Sequence, residues 1–239
     1  LAQTAQRRWP AADQYELVAL ADEFAHTIRA ELDYELEGRT VERFATNFFN
    51  NATIHIPQVV WSHSTGQVLT LERISGLKVT DSAALDAAGI DRSALAQRAT
   101  DAILQMIFEH GLFHADLHPG NLFIEPDGRI GLIDFGMVGT VGESARDALA
   151  AVILAVLSRD YEQLVEALLA LGFARQRVDR RALRADLELL LAPYYGRPIG
   201  EIALGPLLEA AFATIRTHRL QLPADLALLL KTLIMSEGM

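Results

Sequence analysis

The sequence contains no cysteine and no long apolar segment. Without cysteine, structural disulfides and thiolate metal sites are excluded, a composition that fits a cytoplasmic setting. The longest uninterrupted apolar run, residues 148–157, is too short to cross a bilayer. No basic segment followed by an apolar one, as in a secretion signal, stands at Leu1. We therefore expect no insertion of this chain into a membrane.

Basic residues are in deficit, since 21 Lys and Arg against 31 Asp and Glu give a net charge of −10. Such a balance disfavours a broad nucleic-acid surface. The chain is instead rich in apolar residues, which make up 51% of its 239 positions. This is enough to bury the core of one large domain or of two small lobes, and it excludes a disordered tail.

The most informative motif is HADLHPGN at residues 114–121, followed by DFG at residues 134–136. It contains Asp116, then Asn121 five residues later, then Asp134. Kinases need this order, in which the first Asp orients the nucleophile and the Asn and second Asp hold the metal ions. The DFG triplet alone recurs by chance, but Asp116, Asn121 and Asp134 at this spacing together predict a phosphoryl-transfer site.

Two short strands are predicted between the halves of this motif, at residues 122–124 and 130–133, joined by the turn PDG at residues 126–128. A hairpin of this kind returns the chain to the level at which it started. Asn121 and Asp134 are therefore expected at the same end, where both could face one polyphosphate.

The residue types suit the chemistry of a magnesium nucleotide. Mg²⁺ is a hard ion that prefers oxygen, so the amide of Asn121 and the carboxylate of Asp134 are suitable ligands. Asp116 would accept a hydrogen bond from an attacking hydroxyl or water and align it with the terminal phosphoryl group. His114 is assigned to the catalytic loop, in a structural role.

A transition-metal site is an alternative, because His114, Asp116 and His118 alternate and would share one face of an extended strand. Pro119 and the glycine after it end such a strand at once, and no second histidine cluster offers further ligands. The other histidines are scattered and are interpreted as ordinary surface or interface residues. They are His26, His55, His63, His110 and His218.

Residues 113–121, together with the acidic segment ELDYELE at residues 31–37, resemble the UbiB/ADCK group of atypical protein-kinase-like proteins. The resemblance extends from about Tyr15 to the end of the chain. Ordinary protein kinases usually carry Arg and Lys where this chain has Ala115 and His118. Phosphotransferases acting on aminoglycosides and choline share the DLHPGN run but seldom carry the acidic segment.

The acidic segment lies within a predicted amphipathic helix over residues 15–48, which Gly38 is expected to interrupt. Glu37 has no cation at helical spacing, and Asp33, four residues before it, repels it. One interpretation is a solvated acidic face, the usual meaning of a charge run. The other is that Glu37 pairs with a distant cation.

The resemblance implies the second interpretation, with Glu37 pairing with an upstream lysine that positions ATP phosphates. Glu31 and Asp33 match the family's Glu-x-Asp signature, which faces a family-specific N-terminal extension. Neither that extension nor a nucleotide-binding lysine strand precedes Leu1. We therefore expect the chain to be a fragment that lacks the start of the N-lobe and the family's C-terminal membrane hairpin, and to be inactive alone.

Two strands, residues 56–61 and 67–71, are predicted after the acidic helix, followed by a hinge between lobes at residues 72–76. The resemblance implies that Leu71 borders the adenine pocket. It also implies that the backbone from Glu72 to Ile74 meets the base. An edge strand running into a loop would have the same local sequence.

The rest of the chain is predicted to be helical. A helix capped by Asp91 should end near Gly111, and past Gly139 the apolar stripes indicate helices packed into a core. Their bounds are residues 145–158, 161–171, 179–192, 202–217 and 223–236. The sequence thus predicts an α+β, two-lobed protein-kinase-like fold, with a truncated N-lobe at residues 1–73 and a mainly helical C-lobe at residues 74–239.

The resulting expectation is an ATP- and Mg²⁺-dependent atypical kinase or ATPase. The resemblance implies a role in ubiquinone or related prenyl-lipid biosynthesis, with quinone-biosynthesis proteins and a membrane surface as partners of a cytoplasmic, membrane-associated full-length protein. A small-molecule phosphotransferase is the alternative. The short segment after Gly136 favours a small-molecule substrate or simple ATP hydrolysis, because Glu143 already opens the next helix and leaves little room to hold a protein substrate. A nucleotide-binding scaffold without turnover is a third possibility, against which the retained Asp116 argues.

Overall fold

The computed structural model describes residues 33–171, 178–198, 202–220 and 223–236. Helices and short strands alternate in its first half, and helices fill the second. The helices are α1 Tyr34–Asn47, α2 Ser82–Ala87, α3 Arg92–Leu104, α4 Glu143–Ser158, α5 Tyr161–Ala170, α6 Arg180–Leu191, α7 Leu204–Thr217 and α8 Ala224–Ser236. The strands are β1 Ile54–His55, β2 Leu77–Lys78, β3 Leu112–His114, β4 Leu122–Ile124, β5 Ile130–Leu132 and β6 Val138–Thr140.

Helix α1 begins at the Asp33 cap, whose Oδ1 accepts the backbone N–H of Glu35 at 3.2 Å. The predicted residues 15–32 of this helix lie outside the described residues. The interruption expected at Gly38 is wrong, because the helix runs through it. A Cβ on Gly38 would lie 2.6 Å from the Trp61 ring, so this glycine allows the indole to pack directly on the helix backbone.

The strands predicted at residues 56–61 and 67–71 are also wrong as regular strands. Only an isolated bridge joins Val59 to Leu71, and a short 3₁₀ helix occupies Trp61–His63. Side-chain hydroxyls bond the backbone that a ladder would have paired: Ser64 Oγ accepts the N–H of Thr70 at 3.0 Å, and Thr70 Oγ1 donates to the carbonyl of His63 at 2.7 Å.

A four-stranded sheet has the order β1–β5–β4–β2. The predicted hairpin is confirmed, with Leu122 opposite Leu132 and Ile124 opposite Ile130. Strand β1 joins β5 in parallel, and β2 joins β4 antiparallel. The two outer strands are two residues each, too short for their sequence pattern to have predicted them.

A second, two-stranded sheet pairs β3 with β6, with His114 opposite Val138. Its two strands come before and after the β4–β5 hairpin in the sequence. They therefore fix the positions at which the chain enters and leaves the predicted catalytic region. Gly139 permits this pairing, since a Cβ there would lie 2.2 Å from the Phe113 ring. Neither β3 nor β6 was expected from the sequence.

The helix predicted from Asp91 to about Gly111 is confirmed. Asp91 Oδ1 accepts the N–H groups of Ser93 and Ala94, and the last turns, Gln105–His110, widen into a π-helix. Gly111 ends it with φ +63, in the left-handed region that favours glycine. Beyond it, helices α4 to α8 begin within two residues of the predicted starts. Among the described residues, no helix is both long and apolar enough to cross a membrane.

Candidate active site

The side chain of His114 connects the predicted catalytic loop to the residue before Asp134. Its ring is fully buried at the end of β3, where Nδ1 accepts the backbone N–H of Asp116 at 3.2 Å and Nε2 faces the carbonyl of Ile133 at 3.1 Å. Because Nδ1 is an acceptor, the neutral ring carries its proton on Nε2 and donates it to Ile133. Burial lowers the pKa of His114, which favours this neutral form.

Asn121 connects the same two segments, the predicted catalytic loop at Asp116 and the residue before Asp134. Its Nδ2 donates to the carbonyl of Asp116 at 3.0 Å, and its own carbonyl accepts the N–H of Ile133 at 3.1 Å. The backbone of the catalytic loop and the residue before Asp134 are therefore both tied to Asn121. Because the amide nitrogen is committed to the backbone, the side-chain oxygen Oδ1 remains available as a ligand.

Asp134 follows with an unusual backbone conformation, φ +62. Asp and Asn tolerate this left-handed region better than most residues, and strain of this kind is often found where a side chain is held for function. The side chain is exposed, and its Oδ1 lies 3.4 Å from the N–H of Gly136. The exposed carboxylate of Asp134 and the amide oxygen of Asn121 are oxygen donors of the kind that Mg²⁺ prefers.

Phe135 anchors the other side of this segment. Its ring is buried and packs on Phe44 of α1 with centroids 4.9 Å apart, and on His114 at 5.2 Å. Its backbone N–H donates to Glu37 Oε1 of α1 at 3.2 Å. Helix α1 thus contacts the residue directly after Asp134 through both an apolar and a polar contact.

Glu37 is half-buried and hydrogen-bonded, so the interpretation of a merely solvated acidic face is wrong at this position. Burial raises the pKa of Glu37, the charge of Asp134 adds to that rise, and the hydrogen bond from Phe135 opposes it. Among the described residues no cation pairs with Glu37. The pairing of Glu37 with a lysine, implied by the resemblance, stays a prediction.

The other predicted nucleotide-side residues are distributed differently. Asp33 is exposed and caps α1, whereas Glu31 lies outside the described residues. Leu71 is half-buried and bridged to the strand before it, and Ile74 lies over Gly131, where a Cβ would be 2.5 Å from its side chain. The hinge is therefore seated on the β4–β5 hairpin.

Glu72, at the start of the hinge, contacts His55, a residue for which the sequence predicted no functional role. Its Oε2 accepts the N–H of Gln58 at 3.1 Å and lies 3.4 Å from Nε2 of His55. The other nitrogen of His55 is 3.0 Å from Oε1 of Glu125, in the hairpin turn. His55 was interpreted as ordinary, because no sequence signal connects it with two carboxylates 17 and 70 residues away.

The transition-metal alternative is not supported by this geometry. Both ring nitrogens of His114 contact backbone groups, and Nδ1 of His118 accepts the N–H of Gly120 at 3.0 Å. The strand ends at His114, so the alternating residues do not share one face. In the part of the chain that the structure describes, no group of three or more His, Asp or Glu side chains could hold a metal ion.

The C-terminal helix, α8, contacts the predicted catalytic loop. Thr232 of α8 is buried, and its hydroxyl lies 3.1 Å from the carbonyl of Ala115 and 3.0 Å from that of Leu228. No sequence pattern predicts this contact, since a threonine within a helix usually bonds only its own preceding turn. Through it, the last described helix contacts the residue next to Asp116.

A helix packed on the DFG segment, a hairpin between Asn121 and Asp134, and a helical second lobe define a protein-kinase-like domain of the α+β class, as predicted. The sequence profile of the ABC1 atypical kinase-like domain matches residues 1–168, and that of the UbiB helical domain matches residues 187–239. The chain therefore belongs to the UbiB family of ABC1 atypical kinase-like proteins, which confirms the resemblance.

Individual relatives agree with this assignment. The chain is 34% identical to the uncharacterized protein slr1919 of Synechocystis over 94% of its own length and 40% of that protein. It is 33% identical to a probable protein kinase UbiB of Xanthomonas axonopodis pv. citri over its whole length and 44% of that protein. The chain thus spans less than half the length of these curated relatives.

One solved structure has a similar fold. It is the complex of Rv3197 with erythromycin from Mycobacterium tuberculosis, with a TM-score of 0.62 at 24% identity. The match covers 99% of this chain and 62% of that one. At this level of identity the likeness concerns the fold.

Proposed function

We propose that this chain contributes the catalytic loop and metal ligands of an ATP-dependent atypical kinase or ATPase. The observation that carries the proposal is that Asn121 and the buried His114 connect the backbone of Asp116 to that of Ile133, the residue before Asp134. Two backbone-directed side chains hold the loop and the DFG segment together, which is the preorganisation that phosphoryl transfer requires.

Within this site Asp116 accepts a hydrogen bond from the attacking hydroxyl or water and holds it in line with the terminal phosphoryl group. Asn121 Oδ1 and the Asp134 carboxylate would hold Mg²⁺. The ion supplies positive charge to the phosphate oxygens when bound. The hinge backbone from Glu72 to Ile74 meets the base. Glu37 keeps the Asp134 segment in place and pairs with a cation from upstream sequence.

The relatives named as probable protein kinase UbiB support a role in ubiquinone or related prenyl-lipid biosynthesis. A cytoplasmic full-length protein that associates with membranes is part of the same proposal. A small-molecule phosphotransferase remains the second candidate. It is favoured by the short connection from Gly136 to α4, in which β6 occupies Val138–Thr140 and leaves no long segment to hold a protein substrate.

The test is phosphate release from ATP by the full-length protein, measured with and without Mg²⁺ and for Asp116→Asn. Metal-dependent release that Asp116→Asn abolishes supports the proposal. Equal release by the variant would show that Asp116 does not orient the nucleophile. Addition of aminoglycosides or choline to the same assay distinguishes the second candidate, because only a phosphotransferase would form their phosphate esters.

A further inference from the structure

His55 lies between two carboxylates from different parts of the chain. Nδ1 is 3.0 Å from Oε1 of Glu125, in the turn of the β4–β5 hairpin, and Nε2 is 3.4 Å from Oε2 of Glu72, at the start of the hinge. Glu125 is buried, and His55 keeps only 17% of its side chain exposed. The contact is thus a partly desolvated one, in which charge interactions are stronger than at an open surface.

The two carboxylates that face His55 have other partners as well. Arg129 Nη2 lies 3.1 Å from the other Glu125 oxygen, outside hydrogen-bond geometry, and its Nε is bound to Asp127 at 2.8 Å. Arg129 therefore divides its charge between two carboxylates. Within the described part of the chain, Glu72 accepts in addition only the backbone N–H of Gln58.

The protonation state of the ring decides how many of these contacts it can make. A carboxylate accepts but does not donate, so each ring nitrogen needs a proton to bond its partner. Neutral histidine has one such proton, and the imidazolium has two. Only the doubly protonated ring presents a proton to both carboxylates at once, as a hydrogen bond to Glu125 and an ion pair with Glu72 at 3.4 Å. Loss of one proton leaves a nitrogen lone pair facing a carboxylate oxygen.

The contacts of His55 with Glu72 and Glu125 connect the hinge to the β4–β5 hairpin. Downstream of Glu72 it rests on the same hairpin at two further points. Ile74 covers Gly131, and Gly76 is so close to the carbonyl of Ile124 that a Cβ would be 2.5 Å away. Strand β1 also pairs His55 with Gly131, so the histidine and Ile74 meet the hairpin at the same residue.

We propose that His55 is a positioning residue that holds the hinge on the β4–β5 hairpin, and that it does so fully only as the imidazolium. This inference rests on the proposed function, since it assumes that the hinge receives the base of a nucleotide. Nucleotide affinity of the full-length protein is then lower when the His55 ring is neutral than when it is the imidazolium, with the phosphoryl-transfer step itself unaffected.

The experiment is binding of a fluorescent ATP analogue with Mg²⁺ to the full-length protein, at pH values from about 5.5 to about 8.5, the range in which histidine charge changes. His55→Gln should bind about three- to tenfold more weakly than the wild type at low pH and equally at high pH, as expected for one lost charge-assisted contact. In turnover assays at low pH, KM should rise while kcat is retained. His63→Gln is the matched control, because the ring of that exposed histidine bonds only Ser62 among the described residues.

A second variant gives an opposite expectation. In Glu72→Gln the amide can donate to the neutral ring, so the bridge no longer needs two protons and affinity should become independent of pH. A wild-type pH profile that survives unchanged in both variants would overturn the positioning role. So would a melting temperature that His55→Gln lowers at every pH while the binding profile is unchanged, since His55 would then be structural only. Absence of binding by the wild type at any pH would instead refute the proposed function, and with it this inference.

Discussion

The backbone N–H of Phe135 donates to Oε1 of Glu37 over 3.2 Å, joining helix α1 to the residue that follows Asp134. The bond places an acidic side chain beside a second carboxylate with no cation among the described residues to offset it. Burial and Asp134 both raise the pKa of Glu37 as a result.

Glu37→Gln separates the hydrogen bond from the charge. The amide oxygen can still accept from Phe135, whereas the repulsion of Asp134 is removed. Because the raised pKa means that the folded state holds the proton more tightly, wild-type stability is lost as the pH rises through the titration of Glu37. Glu37→Gln should lack that loss and melt at or above the wild-type temperature near neutral pH. Glu37→Ala, which loses the acceptor, should melt lower.

The same substitution should weaken ATP use by the full-length protein, because Gln cannot pair with the phosphate-positioning lysine. Phosphate release at a series of ATP concentrations is the measurement. Retained ATP use together with a loss of several degrees in melting temperature would make Glu37 a structural residue of α1.

Asp134 and Asn121 should contribute unequally to metal-dependent binding. Asp134→Asn keeps a residue type that tolerates φ +62 but removes the charged oxygen, so it should reduce Mg-nucleotide affinity more than Asn121→Ala does. Titration of a fluorescent ATP analogue with and without Mg²⁺ measures the difference. Asp127→Asn, in the exposed hairpin turn, controls for the loss of one negative charge. Equal metal-dependent binding by wild type and Asp134→Asn would remove Asp134 from the site.

Asp116→Asn should leave nucleotide affinity nearly unchanged and lower kcat by about 10²–10⁴-fold, the range typical of a lost general base. The side chain is half-buried, and its backbone is held by His114 and Asn121, so an isosteric amide should not disturb the loop. Binding and single-turnover measurements on one preparation separate the two effects. A parallel loss of affinity and rate would indicate that the loop itself had moved.

His114 should make the protein sensitive to acid. Its pKa is lowered by burial, so below the ordinary value of 6.5 the unfolded chain takes up a proton that the folded ring resists. Stability therefore falls as the pH falls, and the melting temperature of the wild type should drop more steeply between about pH 7 and about pH 5 than that of His114→Gln. Ring chemical shifts of His114 that titrate like those of His63 would contradict this.

Thr232→Val should destabilise the folded protein by about 1–2 kcal/mol, because the valine keeps the shape but leaves the buried carbonyl of Ala115 without its side-chain donor. Thr232→Ser, which retains the hydroxyl, should lose less. Denaturant unfolding compares the two variants. A greater loss in the serine variant would show that the methyl group, and not the hydrogen bond, joins α8 to the loop.

Local sequence was sufficient for the elements whose signals are contained within a few residues. The turn residues 126–128 and the flanking apolar residues specify the β4–β5 hairpin, Asp91 and Gly111 mark the two ends of α3 and its π-helical extension, and the spacing of Asp116, Asn121 and Asp134 indicates the kinase-like class. Each depends on backbone preference or on motif spacing, which a sequence states directly.

Tertiary structure decided what depends on distant partners. Strands of two residues carry no periodicity, so β1 and β2 exist because the hairpin offers its edges. The predicted strand pair before the hinge gave way to hydroxyl bonds from Ser64 and Thr70, whose side chains compete with a ladder. Glu37, His55 and Thr232 acquired their roles only when folding brought Phe135, two carboxylates and the Ala115 carbonyl to them, because a hydrogen bond requires atoms within about 3 Å and sequence spacing does not encode that distance.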